Sequence, residues 1–157
     1  MLNPFKKQKS ESIYSPVSGR IVSLDEVPDP VFAQRSVGDG FAVEPTDGSF
    51  RSPADGELVL VAKTLHAFAI RTPEGAEVLV HIGIDTVTLK GEGFTGHREA
   101  GETVSRGDVI ISCDLEAMKS KVPAMVTPVL LTNGAKFSMS APDFDANGAS
   151  VITVRRK

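Results

Sequence analysis

A chain of 157 residues is long enough for one domain with a substantial core and too short for two of ordinary size. Its 17 basic and 20 acidic residues are mixed along the chain and sum to a net charge of −3, which excludes the electrostatic footprint of a nucleic-acid binder and leaves a protein partner or a small ligand. Fourteen glycines and ten prolines, against 6% aromatic residues and no tryptophan, favour short strands and tight turns over long helices.

The opening residues, Met1 to Ser10, carry lysines but no apolar run behind them, so they do not read as a secretory signal, and no later run approaches a membrane span. The expectation is a flexible tail over 1–12, with Leu2 and Phe5 offering a membrane contact that Pro4 works against, followed by one domain over 13–157. A turn-and-strand unit then repeats: Ser15-Pro16-Val17-Ser18-Gly19-Arg20-Ile21-Val22 returns as Ser52-Pro53-Ala54-Asp55-Gly56-Glu57-Leu58-Val59. A second echo links Val37-Gly38-Asp39-Gly40-Phe41 with Arg106-Gly107-Asp108-Val109-Ile110. Strands are predicted near 20–24, 40–44, 57–62, 66–71, 76–82, 108–113, 126–132 and 150–154, with short helical turns near 29–34 and 114–120. These similar β units predict an all-β, antiparallel sandwich or barrel-like sandwich. Cys113, the single cysteine, has no partner for an internal disulfide, which fits a reducing compartment and a cytoplasmic protein; peripheral contact with the inner membrane face stays open.

Two of the three histidines, His66 and His81, flank the turn sequence Thr72-Pro73-Glu74-Gly75. Pairing the arms about Pro73 and Glu74 sets Ile70 opposite Glu77, Phe68 opposite Leu79 and His66 opposite His81. A loop of two or four residues keeps that register, whereas an odd loop shifts it. Directly opposed residues have Cβ atoms about 4.5–5.5 Å apart, so two imidazoles would converge on one small ligand. A neutral imidazole is a nucleophile near neutral pH, and a second ring beside it can donate N–H to phosphoryl oxygens. Gly83 allows close backbone approach, and Asp85 falls on the His81 face by strand parity, where it could hold a cationic group of a partner. His97, in Thr95-Gly96-His97-Arg98, reads as a solvated loop residue.

The stretch from Gly75 to Val87, with Leu79-Val80-His81-Ile82-Gly83-Ile84-Asp85-Thr86 at its centre, resembles the signature of the glucose-type enzyme IIA of the bacterial phosphoenolpyruvate:sugar phosphotransferase system. Matching motifs stand at Val27-Pro28-Asp29-Pro30-Val31-Phe32-Ala33, Val37-Gly38-Asp39-Gly40, Thr64-Leu65-His66-Ala67-Phe68 and Leu89-Lys90-Gly91-Glu92-Gly93-Phe94, in the family's order from about Ile13 to Asn133. The resemblance implies a β-sandwich in which His81 takes a phosphoryl group from the phosphocarrier HPr and passes it to a cysteine of an enzyme IIB domain. It makes His66 the ring that steadies the phosphoryl group and Thr64 the residue that orients His66. It sets Asp29 and Asp85 against an arginine of HPr, and Phe32, Phe68 and Val87 on the apolar rim where partners dock. Regulatory binding of other proteins by the phosphorylated or free form is part of what it implies. No cofactor is expected beyond the phosphohistidine, and zinc only at a partner interface, held by His66, His81 and a partner's carboxylate.

Two other readings compete. Leu115-Glu116-Ala117-Met118-Lys119 resembles the biotin attachment motif of carrier domains, with Lys119 as the modified residue on an exposed hairpin turn; Ser120 replaces the usual second methionine, and the two-histidine hairpin would go unused. His81-Ile82-Gly83-Ile84-Asp85 has the spacing of lysostaphin-type zinc peptidases, yet the H-x-H element those enzymes need is missing and the ligand set is incomplete.

Overall fold

Short apolar runs with alternating burial form thirteen strands in a computed structural model that describes residues 9–157. In chain order they are β1 (Ser10–Ile13), β2 (Gly19–Val22), β3 (Asp39–Pro45), β4 (Ser49–Arg51), β5 (Gly56–Val61), β6 (Ala67–Arg71), β7 (Glu77–His81), β8 (Phe94–Gly96), β9 (Thr103–Val104), β10 (Val109–Cys113), β11 (Thr127–Leu131), β12 (Phe137–Met139) and β13 (Ile152–Arg156). A seven-stranded sheet runs β2-β3-β11-β7-β6-β5-β9, and two three-stranded sheets run β4-β10-β8 and β1-β13-β12. Every ladder is antiparallel, as an all-β sandwich requires. Two short helices, α1 (Pro30–Ala33) and α2 (Leu115–Lys119), fall where helical turns are predicted.

The large sheet is buried on both faces at its centre. All five residues of β11 are buried. Val129 and Leu131 face the main core with Phe41, Phe50, Phe68, Ile70 and Val80, while Leu130 faces a smaller cluster containing Val22, Leu24, Val27, Phe32, Ala42 and Ile84. That second cluster carries the floor under β7's outer face, through Leu79.

The internal repeat is a structural one. Ser15 Oγ donates to the Val17 carbonyl at 2.6 Å and Ser52 Oγ to the Ala54 carbonyl at 2.7 Å, so the same serine-capped turn launches β2 and β5. Cys113 is half-buried, and burial, with Asp114 and Asp47 nearby, pushes its thiol up to about 11; it is a packing residue rather than a nucleophile at neutral pH.

The ordered fold starts earlier than expected. Residues 10–12 are not tail: Ser10 opens β1, which pairs with β13 from Ser10 opposite Arg155 to Ile13 opposite Ile152. The run Ser-Glu-Ser-Ile is too short and polar to announce a strand, and its order comes from the edge it joins and from Ile13, which is fully buried. Glu11 also accepts from Thr72 Oγ1 and from the Glu74 amide, tying β1 to a distant turn. The remaining tail residues, with Leu2 and Phe5, lie outside the described residues.

Gly40 in β3 lies against the Val129 carbonyl of β11, and a Cβ there would overlap that oxygen. Gly40→Ala is expected to lower unfolding free energy by more than ~2 kcal/mol, measured by urea denaturation, because the central ladder has to move to admit a methyl group.

Candidate functional site

β6 and β7 form a hairpin closed by three residues, Pro73, Glu74 and Gly75. The Gly75 amide donates to the Thr72 carbonyl and the Thr72 amide to the Ala76 carbonyl, both at 2.9 Å, and Gly75 takes a left-handed φ of 93°. Asn133 clamps the turn, its amide donating to the Gly75 carbonyl and its carbonyl accepting from the Glu77 amide, each at 2.9 Å. Arg156 holds the Glu74 carbonyl.

An odd loop shifts the pairing by one. Ala67, not His66, stands opposite His81, and Phe68 stands opposite Val80. The expected direct opposition of the two histidines is therefore incorrect, yet the rings still meet, edge to face with centroids 5.2 Å apart. His66 precedes β6 and follows Leu65, whose φ of 60° closes a turn through its amide to the Ala62 carbonyl at 2.8 Å. Strand alternation no longer governs the direction of the His66 side chain, although its carbonyl still accepts from the Ile82 amide at 2.7 Å.

His81 Nδ1 lies 2.8 Å from the Gly83 carbonyl. A carbonyl only accepts, so Nδ1 carries the hydrogen and Nε2 presents its lone pair. His66 Nδ1 lies 2.6 Å from Thr64 Oγ1, which leaves the Nε2 of that ring without an intramolecular partner among the described residues. With the threonine hydroxyl donating, His66 Nε2 carries a hydrogen to offer. In that tautomer one ring offers a lone pair and its neighbour an N–H, the complement needed to take and steady an electrophilic phosphorus group.

The surroundings disfavour the charged form of both rings. Burial lowers the His81 pKa below the ordinary imidazole value, and the Gly83 bond, Asp29 and Asp85 offset this only in part. Burial, then the His81 ring, lowers that of His66. Phe32 packs on His81 with centroids 4.8 Å apart at 53°. Asp29 caps α1, its Oδ1 accepting from the Val31 amide at 2.9 Å, and Pro30 is the first helical residue, where a missing N–H costs nothing. β7 ends at His81, so Asp85 does not continue the strand: with φ 58° it caps the helical turn Thr86–Leu89.

The apolar rim is composed differently from the expectation. Phe68 is 0% exposed in the main core and cannot touch a partner; the one-residue shift that moves Ala67 opposite His81 also turns Phe68 to the inner face. Phe32 is 7% exposed and acts as a wall for His81. Val87 is 51% exposed, and Val31, which sequence reasoning missed beside the larger Phe32, is 47% exposed. In a single-turn helix, adjacent residues point about 100° apart, so burying Phe32 sends Val31 outward.

The competing motifs lack their geometry. Lys119 closes α2 and pairs with Glu116 at 3.1 Å, so it sits on a helix rather than on the hairpin turn a biotin carrier presents, and that alternative fails. Among the described residues no three His, Cys, Asp or Glu side chains converge as a metal set. His97 is exposed, with Nε2 2.8 Å from Ser112 Oγ.

Residues 11–137 match the family model described as phosphoenolpyruvate-dependent sugar phosphotransferase system, EIIA 1. The chain belongs to this family. It is 43% identical over 157 residues to a glucose-specific EIIA component of Halalkalibacterium halodurans, covering 98% of this chain and 91% of the relative. It is 47% identical over 128 residues to part of a glucose-specific EIICBA component of Streptococcus pneumoniae, 82% of this chain and 18% of that longer protein. Among solved structures, the glucose permease IIA from Mycoplasma capricolum superposes with a TM-score of 0.87 at 36% identity, over 97% of this chain and 99% of that one. As an EIIA 1 member the chain is a phosphotransferase component of a sugar-uptake system, and no helix among its described residues is long and apolar enough to cross a membrane.

Two outcomes follow for this EIIA. Phe68→Ala is expected to cost about 3–5 kcal/mol of stability in chemical denaturation, and Val87→Ala less than about 0.5 kcal/mol. By NMR titration both His66 and His81 are expected to gain their protons below the ordinary imidazole value of about 6.5. Because the folded values are depressed, the unfolded chain binds more protons as pH falls through that value, and stability declines there; a His66→Gln, His81→Gln double variant flattens the decline.

Proposed function

We propose that His81 is the phosphoryl carrier of this EIIA: its Nε2 bonds to phosphorus as the bond to phospho-HPr breaks, and the group then moves to a cysteine of an enzyme IIB domain. The observation that carries this reading is the His81 Nδ1–Gly83 carbonyl bond, which leaves Nε2 as the nucleophilic nitrogen beside the His66 ring. Thr64 orients His66, whose Nε2–H meets the phosphoryl oxygens during transfer. Low proton affinity at His81 keeps the nucleophile available at neutral pH.

Partners approach over Val31 and Val87, with Asp29 and Asp85 presenting carboxylates to a cationic group on HPr and Phe32 backing the His81 ring. HPr and IIB use overlapping faces because both must reach one nitrogen. Phosphorylation adds about −2 charge at an apolar patch already edged by two acids, so the same face discriminates regulatory partners by phosphorylation state. The two imidazoles supply half of a tetrahedral zinc set, so zinc is assigned only to a complex in which a partner adds carboxylate ligands. Transfer places the protein on the cytoplasmic side, and the sugar is selected by its IIB and IIC partners.

Incubation with phosphoenolpyruvate, enzyme I and HPr is expected to give an acid-labile phosphate on His81 that His81→Ala abolishes. His66→Ala is expected to keep uptake while onward transfer to IIB falls roughly 10²–10³-fold, the scale of losing one preorganised donor. Stable labelling of the His81→Ala protein would sink the reading.

A further inference from the structure

Four non-glycine residues among those described have positive φ: Arg35, Leu65, Asp85 and Lys90. Leu65, at 60°, is the apolar one. A left-handed leucine gains no local hydrogen bond from its side chain, so tertiary contacts have to hold it there. Leu65 is partly buried and packs against the main core. It lies against Gly96 of β8 so closely that a Cβ on Gly96 would sit 3.2 Å from Leu65 Cδ2. Gly96 is itself pinned, paired with Ile111 in the β8–β10 ladder. On either side of Leu65 stand Thr64 and His66, whose side chains meet at 2.6 Å. The turn at Leu65 closes the β5–β6 connection immediately before His66 and brings Thr64 back beside the His66 ring.

We infer that Leu65 is a positioning residue for the second histidine: seated on the core against the bare Cα of Gly96, it holds the left-handed backbone that aims the His66 ring at His81. This solves the problem that the hairpin register creates. With Ala67 opposite His81, a regular extension of β6 would place residue 66 on the opposite face from His81. The left-handed residue stands immediately before the position where the ring must change sides. The inference rests on the proposed transfer role of His66, and a spectroscopic measurement separates the two.

The test uses the full chain with Leu65→Asn, Leu65→Met and Gly96→Ala. Asparagine tolerates left-handed backbone but has no apolar anchor; methionine keeps the anchor. Leu65→Asn is expected to accept phosphoryl on His81 within about twofold of wild type while onward transfer drops about tenfold, the scale of a modest misplacement. Its His66 ring ¹⁵N resonances are expected to shift as the Thr64 hydrogen bond loosens. Leu65→Met is expected to restore both readouts. Gly96→Ala, which presses on the same side chain from the other side, should shift the same His66 resonances even if Leu65→Asn folds poorly. Unshifted resonances with wild-type onward transfer in Leu65→Asn would overturn the inference, as would a Leu65→Met protein as impaired as Leu65→Asn. A wild-type chain that takes no phosphoryl would remove the transfer reading, and the ring resonances would then decide the role of Leu65 alone.

Discussion

A single carbonyl fixes which nitrogen of His81 faces outward with a lone pair, and the proposed function depends on it. Gly83 lies just past the end of β7, and its oxygen takes the Nδ1 hydrogen of His81, so the outward nitrogen is left with a lone pair. Had that carbonyl turned away, the imidazole would be free to exchange tautomers, and no fixed nucleophile would face the second ring. The left-handed φ of 72° at Gly83 permits the approach, and the Thr86 hydroxyl on the Ile82 carbonyl steadies the bend. Phe32 then limits how far the ring can rotate.

That local chemistry depends on a hairpin fastened at its far end. The turn between β6 and β7 is gripped by Glu11 from the first strand, Asn133 after β11 and Arg156 in the last strand. These contacts draw on segments far apart in the chain, so the register that positions His81 is a property of the whole fold. The hairpin's inner face contributes Phe68, Ile70, Val78 and Val80 to the large core, while its outer face lies over the smaller cluster. The histidines thus ride on the lesser of two apolar foundations, with Phe32 shared between that foundation and the site.

Much of this was legible from residue order. The serine-proline-glycine repeat marked real turns, the eight stronger strands and both short helices lay near their predicted places, and the motifs around His81 pointed to the right family. The rest was hidden for specific reasons. Pro73-Glu74-Gly75 suits several turn types, and only hydrogen bonding distinguishes three loop residues from two or four. That one-residue ambiguity set His66 directly opposite His81, whereas Phe68 was put on the docking rim by the family resemblance and is turned inward by the register the hairpin adopts. The strands β1, β4, β8, β9 and β12 have at most four residues, and their order is supplied by the neighbours they pair with. Leu65 gave no warning, because a left-handed leucine costs roughly 1–3 kcal/mol and is adopted only under tertiary pressure.

The pairing of β1 with β13 also bears on how such a domain can be tethered. Ser10 lies opposite Arg155, so the two extremities of the described fold leave from one end of that three-stranded sheet, on the side of the hairpin turn. The histidines sit at the opposite end of the hairpin, about 14 Å away along four strand residues. A leash fixed at either extremity would therefore emerge behind the reactive face and give the domain nearly the same swing radius. This geometry suits a family in which the module occurs both alone and within longer polypeptides, as in the EIICBA relative: changing the order of fused parts need not obstruct the face that holds the two histidines.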